Sequence, residues 1–229
     1  VKVEGPTLKD LYSNFEENWR LSKGTRLRTI TPDVAPKGSD AAQVAVTTPQ
    51  KDEIRRSFLA AFENAQETIL INSPYFIDEE MVEALKRAAA RKVKVTAMIP
   101  SVGDNRIVDQ MNRSVVNEML DAGIDVRIYD TMNPNFKGQD HATDHFNHGK
   151  VATIDGQLSI IGTANMDTRS MAKNQEINLH IDSKAFAKEI EERIFEQDFA
   201  TKARPAKRNE FGQAEKVLNK GLNSLRKYF

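Results

Sequence analysis

The 229-residue sequence contains no cysteine, which excludes a disulfide framework and thiol chemistry. Acidic and basic residues are equal in number, 33 of each, so no overall positive field points to nucleic acid. No apolar run approaches the roughly twenty residues that a membrane-spanning helix needs. The start, Val1 to Gly5, does not resemble a signal peptide, and because it begins with Val rather than Met we expect a processed or truncated piece of a longer protein.

Apolar segments of strand length alternate with segments of helical periodicity. The strand-like segments are centred on residues 42–47, 68–71, 93–99 and 126–129, and helical spacing of apolar residues separates them. Strands that alternate with helices predict an α/β fold, with a mixed, largely parallel sheet sandwiched between helices. A chain of this length is large enough to bury most of its apolar surface in such a fold.

The most informative stretch is His148-Gly149-Lys150, followed after a strand, a turn and a second strand by Gly-Thr-Ala-Asn at 162–165. Alternation along a strand places His148 and Lys150 on one face. An imidazole beside an ammonium is a poor structural pair because neither neutralises the other. The pair is well suited to holding a phosphate while a ring nitrogen attacks phosphorus or moves a proton. Asn165 can add an amide donor to the same anion.

These residues resemble the HKD motif of the phospholipase D superfamily. The resemblance rests on His-x-Lys-x4-Asp (His148, Lys150, Asp155), on Gly-Thr-x-Asn with Thr163 in place of the usual Ser, on Arg169-Ser170, and on Asn174-Gln175-Glu176. Several residue types at fixed spacings make chance agreement improbable. Over Val1 to about Ala200 the chain is most similar to the C-terminal half of bacterial cardiolipin-synthase-type enzymes, and the resemblance implies one HKD half with a phospholipase D-like fold.

The resemblance implies phosphodiester transfer through a phosphohistidine intermediate, without a metal or other cofactor. Lys150, Asn165 and Thr163 would hold the phosphate oxygens, and His148 would be the general acid and base. Glu176 would hydrogen-bond a catalytic imidazole, that of the opposite half by the family pattern.

Two further residues of the site carry less specific expectations. Asp155 belongs to the motif but is expected to act as a structural partner within the hairpin rather than as a proton donor. Tyr75, which follows a strand, would line the substrate entrance, and core packing explains it equally well.

One motif supplies one histidine, whereas the two-step reaction needs two. The second half can lie in a longer parent chain or in another chain, or two copies can pair as a homodimer. The expected substrate is a phosphatidylglycerol-like head group at a membrane surface, with water or an alcohol as the acceptor, and the cytoplasmic membrane is the favoured location. The alternatives are an endonuclease acting as a dimer, for which nucleic acid is the less favoured partner, and a noncatalytic membrane- or phosphate-binding module.

The chain divides into three expected parts. Residues 1–41 resemble the tail of a preceding HKD half plus a connector, and the helix in it carries Phe15 and Trp19, which we expect in a core. Residues 42–200 form the catalytic half-domain. Residues 201–229 form a basic amphipathic tail, which suits an anionic membrane surface or docks on protein.

Histidines outside the motif allow other interpretations. His141 and His145, together with His148, have a spacing compatible with a metal cluster. The favoured interpretation of residues 130–147 is a flap over the phosphate site, because Asn-Pro-Asn and Gly138 oppose a long helix. His180 alternates with apolar neighbours and is expected to be structural.

Overall fold

The computed structural model describes residues 1–25, 27, 34–103, 105–130 and 147–210, and of Arg106 it describes the backbone only. Within these residues nine strands form a single sheet. The strands are β1 (Ala41–Thr48), β2 (Lys51–Asp52), β3 (Thr68–Asn72), β4 (Lys94–Pro100), β5 (Asp125–Tyr129), β6 (Val151–Ile154), β7 (Leu158–Gly162), β8 (Glu176–Asp182) and β9 (Ala203–Pro205). The helices are α1 (Leu8–Leu21), α2 (Glu53–Asn64), α3 (Glu79–Ala90), α4 (Arg106–Asp121), α5 (Thr168–Ala172), α6 (Lys184–Ile190) and α7 (Gln197–Thr201), with a π-helical segment, Glu191–Glu196, before α7.

The order of strands across the sheet is β2-β1-β8-β7-β6-β3-β4-β5-β9. The pairs β3–β4 and β4–β5 are parallel, because α3 and α4 provide the crossover connections that parallel neighbours require. The other adjacent pairs are antiparallel. The predicted mixed α/β sheet is therefore confirmed, with its parallel neighbours confined to β3, β4 and β5.

Helices cover both faces of the sheet. On one face Ile69 and Ile71 of β3 lie in a core cluster with Phe58 of α2 and Leu85 of α3. On the other face Leu70 of β3 belongs to a cluster with residues of α6 and the π-helical segment. Since successive side chains of a strand point to opposite faces, the middle of β3 must be apolar on both faces, as Ile69, Leu70 and Ile71 are.

The helix α1 does not join either layer, and the prediction that Phe15 and Trp19 are core residues is wrong. Their exposed fractions are 51% and 39%, and no residue of α1 is buried. Two polar contacts link this region to the sheet: Glu17 of α1 forms an ion pair with Lys51 of β2 at 3.6 Å, and the hydroxyl of Thr7, just before α1, donates to the Ala42 carbonyl at 3.3 Å. Helical periodicity predicts the apolar stripe correctly but does not identify what covers it.

A short strand near the end of the described chain belongs to the sheet. Strand β9 pairs with β5, Ala203 is buried, and Arg204 lies 3.2 Å from Asp130. The sheet therefore includes residues beyond 200, where the tail was expected to begin. Residues 211–229, which hold most of the predicted amphipathic tail, lie outside the described residues, as do His141 and His145. In the described ranges, no helix combines the length and apolar character needed to cross a bilayer.

Candidate active site

Several strand ends meet at one end of the sheet, which we call the site end. Asn72, the last residue of β3, pairs with Val151, the first residue of β6. Gly162, the last residue of β7, pairs with Asn178 near the start of β8. Residues that follow β3 and β7 and residues that precede β6 and β8 are thereby brought together, although they are distant in the sequence.

Lys150 and Glu176 lie on the same face of the sheet at the site end. Strand β6 begins only at Val151, but the Lys150 carbonyl accepts a hydrogen bond from Gly162 N–H at 3.3 Å and so continues the ladder. Side chains two residues apart on a strand lie on one face, so Lys150 shares the face of Ala152 and Glu176 shares the face of His180. Ala152 and His180 both pair with Ile160 of β7, so these two faces are the same face of the sheet. Neighbouring strands are about 5 Å apart, so the motif lysine and the later glutamate face one small region.

A pair of asparagine amides fixes the backbone on which His148 sits. The Asn147 amide donates to the Asn72 side-chain oxygen at 2.8 Å, and the Asn72 amide donates back at 3.1 Å. Gly149 N–H donates to the same Asn147 oxygen at 3.0 Å. A Cβ at Gly149 would lie 2.5 Å from the Asn72 amide nitrogen, so a larger residue there would displace the Asn72 side chain and disturb the amide pair.

The motif side chains are accessible from solvent. His148 is exposed, and Lys150 is partly buried, with its ammonium donating to the His148 carbonyl at 3.0 Å. The ammonium is therefore held next to the histidine, where it can contribute positive charge to a bound phosphate.

Glu176 is oriented by donors from the same chain. One carboxylate oxygen accepts from the Ser170 hydroxyl and the Asn174 amide, each at 3.1 Å, and the other accepts from the Thr163 hydroxyl. Thr163 in turn accepts from Ile177 N–H at 3.0 Å. Thr163, predicted to bind phosphate, thus contacts the glutamate directly, and the second carboxylate oxygen keeps a lone pair for a further donor.

A second carboxylate, Asp167, lies beneath this group. It is 4% exposed and caps α5 through Ser170 N–H at 2.7 Å. The Ser170 hydroxyl lies 3.3 Å from Asp167 and 3.1 Å from Glu176, so its one proton can be donated to either carboxylate. Burial raises the pKa of Asp167 above its usual value, and the nearby negative charge of Glu176 raises it further. Hydrogen bonds from the Ser170 N–H and from the Asn165 and Ser170 side chains lower the pKa but do not cancel the rise. Ser170 therefore links the two carboxylates.

The loop after β7 is joined to the segment after β3, and this brings Asn165 to Tyr75. Met166 N–H donates to the Tyr75 carbonyl at 3.1 Å, and Ile77 N–H donates to the Met166 carbonyl at 2.9 Å. Tyr75 and Asn165 line one cleft at the site end. Tyr75 also packs against Val108 and its neighbours, and its place at a substrate entrance stays a prediction.

The structure does not bring Asp155 to this group. Asp155 follows β6 and so lies at the opposite end of the sheet, where its carboxylate accepts from the backbone N–H groups of Gln66, Glu67 and Thr68 at 2.8–2.9 Å. Burial alone would raise the pKa of Asp155, but the three backbone donors lower it below its usual value. The hydrogen bonds of Asp155 therefore hold the β6–β7 hairpin against the turn before β3.

Sequence reasoning missed the supporting polar residues Asn72, Asn147 and Asp167. Asn72 carries one usable signal, since it follows a run of apolar strand residues at the position where α/β sheets place ligand sites. No group of three or more His, Asp or Glu residues in the described ranges has the arrangement of a metal site.

Comparison with known proteins identifies relatives over most of the chain. The profile of the family described as "Cardiolipin synthase, PLD-like domain" matches residues 58–199. Cardiolipin synthase A of Pseudomonas fluorescens is 34% identical over 203 residues, which are 87% of this chain and 40% of that protein.

Two solved structures share the fold. Nuc of Salmonella typhimurium, described as a phospholipase D family member, superposes with a TM-score of 0.59 at 23% identity, over 74% of this chain and 99% of that one. Phosphatidylserine synthase of Haemophilus influenzae gives a TM-score of 0.64 at 12% identity, over 98% of this chain and 56% of that one.

The chain spans about 40% of the length of the curated relatives that it matches. The family profile covers more than half of the chain, and the residues of the HKD motif lie inside the matched region. The chain belongs to the cardiolipin-synthase group of the phospholipase D-like family.

Proposed function

We propose that this chain supplies one half of a phosphatidyl-transfer site, in which a phospholipid phosphodiester bond is cleaved through a phosphohistidine intermediate. The observation that carries the proposal is the meeting of His148–Lys150, Thr163–Asn165 and Glu176 at the ends of three adjacent strands, β6, β7 and β8. Cations, amide donors and a fixed carboxylate in so small a region suit a phosphate and the proton transfers around it.

Each residue of the site has a proposed part in the reaction. Lys150 and the Asn165 amide bind non-bridging phosphate oxygens, and Thr163 adds a hydroxyl while keeping Glu176 in place. His148 protonates the leaving alcohol and then deprotonates the water or alcohol that resolves the intermediate. The remaining lone pair of Glu176 accepts from the imidazole of a second half, which makes that imidazole a better nucleophile. Tyr75 lines the entrance.

The second histidine comes from another HKD half in the proposed assembly. The preceding part of a longer chain, another chain or a second copy of this chain can each provide it. The apolar residues exposed on α1, Phe15, Trp19 and Leu21, support the proposal that residues 1–41 pack against a preceding half rather than on residues 42–200. Residues 201–229 are proposed to add basic and apolar contacts to an anionic membrane, beyond the part of them that forms β9.

The experiment presents phosphatidylglycerol vesicles and, separately, single-stranded DNA to the chain alone and to the chain combined with the preceding half. Cardiolipin with glycerol is the expected product of transfer, and phosphatidic acid is that of hydrolysis. The chain alone is expected to turn over little, because it holds one motif histidine. His148→Ala is expected to abolish product formation, since no other described group replaces the acid and base.

The other outcomes identify the alternatives. Nicked DNA without lipid products assigns an endonuclease, and vesicle binding that survives His148→Ala, with no turnover in the parent protein, assigns a binding module. Efficient lipid turnover by a strict monomer of this chain contradicts the requirement for a second half.

A further inference from the structure

Exposed apolar side chains lie at the site end, beside the cleft that Asn165 lines. Val102 is in the loop between β4 and α4, and Ile107 is in the first turn of α4; their exposed fractions are 56% and 49%. Strand β4 is parallel to its neighbour β3, so the residues that follow it lie at the site end. Asn105 and Val108, from the same loop and turn, form part of the cleft wall.

Hydrogen bonds hold the backbone of this loop on both sides of Val102. Ser101 N–H donates to the Tyr129 carbonyl at 2.8 Å. Gly103 N–H lies 3.0 Å from each carboxylate oxygen of Asp109, which is buried. The polar groups that flank Val102 are thus bound to the protein, whereas its apolar side chain stays in solvent.

Cations accompany the apolar residues at the site end. Arg169 lines the same cleft, and Lys173 lies between α5 and the start of β8. Both residues are exposed, and neither forms an ion pair within the part of the chain that the structure describes. In the sequence of the loop itself, Asp104 and Arg106 balance in charge. Unneutralised positive charge beside exposed apolar side chains is the combination that binds anionic bilayers.

The proposed substrate adds a geometric requirement. A phospholipid that stays in the bilayer can bring its phosphate to Lys150 and Asn165 only if the site end faces the membrane. Apolar side chains at that end then meet the boundary between head groups and acyl chains, where their burial is favourable. Apolar residues, cations and substrate access therefore all point to the same partner, an anionic lipid bilayer.

We infer that the site end is the membrane-docking face of this chain, with Val102 and Ile107 inserted at the acyl-chain boundary and with Arg169 and Lys173 against anionic head groups. The inference rests on the proposed function and adds to it the surface that meets the bilayer. It is separate from the membrane contact proposed for residues 201–229, because it fixes which end of the sheet faces the lipid.

The first test measures whether position 102 enters the bilayer. Val102→Trp is made in Trp19→Phe protein, so that a single indole reports, and the whole chain is mixed with phosphatidylglycerol vesicles whose acyl chains carry bromine. Bromine quenches indole fluorescence at short range, so we expect loss of most of the emission. Asn64→Trp in the same background is the matched control, because Asn64 is exposed at the end of α2, before β3 begins at the opposite end of the sheet. Its emission is expected to remain.

The second test measures what the exposed apolar residues contribute to turnover. The double variant Val102→Ser, Ile107→Gln and the unaltered chain are each combined with the preceding half. Both assemblies receive long-chain phosphatidylglycerol in vesicles and, separately, short-chain phosphatidylglycerol as dissolved monomers, which need no membrane docking. In the variant we expect turnover of the vesicles to fall about tenfold, the scale of losing two partly buried apolar side chains. Turnover of the monomeric lipid is expected to be unchanged.

Quenching at neither position, or equal quenching at both, overturns the inference, since the site end then does not face the bilayer. An equal fall in turnover of both lipid forms also overturns it, because the two residues then serve folding or the docking of the second half. If the unaltered assembly turns over neither form, the proposed function fails, whereas quenching confined to position 102 still supports membrane docking by the site end.

Discussion

At residue 155 the backbone turns with a φ of 52°, followed by Gly156 at 57°. Asparagine and aspartate tolerate this left-handed conformation better than other side chains, which is why they recur in tight hairpins. The Asp155 carboxylate then serves as the acceptor for three consecutive N–H groups, including that of Thr68. Both properties belong to folding, and neither requires a substrate.

Replacing Asp155 with Ala is expected to lower the free energy of unfolding by about 2–4 kcal/mol, because charge-assisted hydrogen bonds are lost and the turn becomes strained. Asp155→Asn is expected to cost about half as much, since it keeps one acceptor oxygen and the turn preference. Urea denaturation measures both changes. Phosphate binding at Lys150 is expected to be unaltered in either folded variant, and a selective loss of that binding would assign Asp155 to the site.

His180 provides a prediction about pH. Burial lowers the pKa of His180 from 6.5 to about 4. The Ser57 hydroxyl donates to the Ile54 carbonyl at 2.8 Å, so the His180 Nε2–H donates to Ser57 at 3.1 Å, and the ring is held neutral edge-on to Phe58. The unfolded chain therefore binds a proton between pH 6.5 and 4 that the folded chain does not.

Stability is accordingly expected to be lost as pH falls through that window, by about 2 kcal/mol from this group. His180→Gln, which can still bond Ser57 but does not titrate, is expected to remove that part of the pH dependence. Urea unfolding of both proteins at pH 7.5 and pH 4.5 measures it. The idea is wrong if the difference between the two proteins is the same at both pH values.

At the residue scale the sequence points more readily to the residues proposed to contact a phosphate than to the residues that position them. His148 and Lys150 are recognisable because a short local spacing fixes them on one face. Asn72 and Asn147 are far apart in sequence, and their amide pair exists only because β3 and β6 are neighbours in the sheet. No local pattern encodes that adjacency.

Among the elements, α2, α3 and α5 are joined by one buried ionic group. Asp78 is 2% exposed, caps α3 through Met81 N–H at 3.1 Å, and accepts from Arg55 of α2 at 2.6 Å and from the Thr168 hydroxyl of α5 at 3.1 Å. Thr168 adjoins Asp167 at the start of the helix that carries Ser170. The ion pair thus helps to place the helix that supports Glu176.

Arg55→Met is expected to lower the free energy of unfolding by about 3–5 kcal/mol, since it leaves the Asp78 charge buried without its partner. Arg56→Met is the matched control on the same helix. Its partner is Asp52, both side chains are more than half exposed, and a loss below about 1 kcal/mol is expected. Thermal or urea unfolding compares the two, and equal losses would show that the buried pair has no special role.

At the element scale the prediction of helices and strands is correct where the apolar periodicity of a segment matches the face that it buries. The strands β3, β4 and β5 and the helices between them have apolar patterns that match their burial. The short strands β2 and β9 were missed because two or three residues carry no periodic signal. The error at α1 has another cause, since an apolar stripe has the same pattern whether its partner lies in this domain or in another.

For the whole molecule, α1 provides a direct reporter of the proposed second half. Trp19 is the only tryptophan of the chain. It is 39% exposed, and its indole N–H donates to the Thr25 carbonyl at 2.7 Å. Burial of the α1 stripe on assembly would move this ring from a partly aqueous to an apolar environment. The fluorescence of the isolated chain is therefore expected to shift to shorter wavelength when the preceding half is added.

A charge in the stripe should prevent that assembly. Phe15→Glu places a carboxylate where the proposed contact excludes water, so we expect it to abolish the wavelength shift and to lower lipid turnover of the assembled enzyme at least about tenfold, the equivalent of about 1.4 kcal/mol. Ser13→Glu adds the same charge to the exposed opposite side of α1 and is expected to change neither. If Phe15→Glu leaves turnover intact while His148→Ala abolishes it, the second half docks elsewhere, and residues 1–41 are not part of its interface.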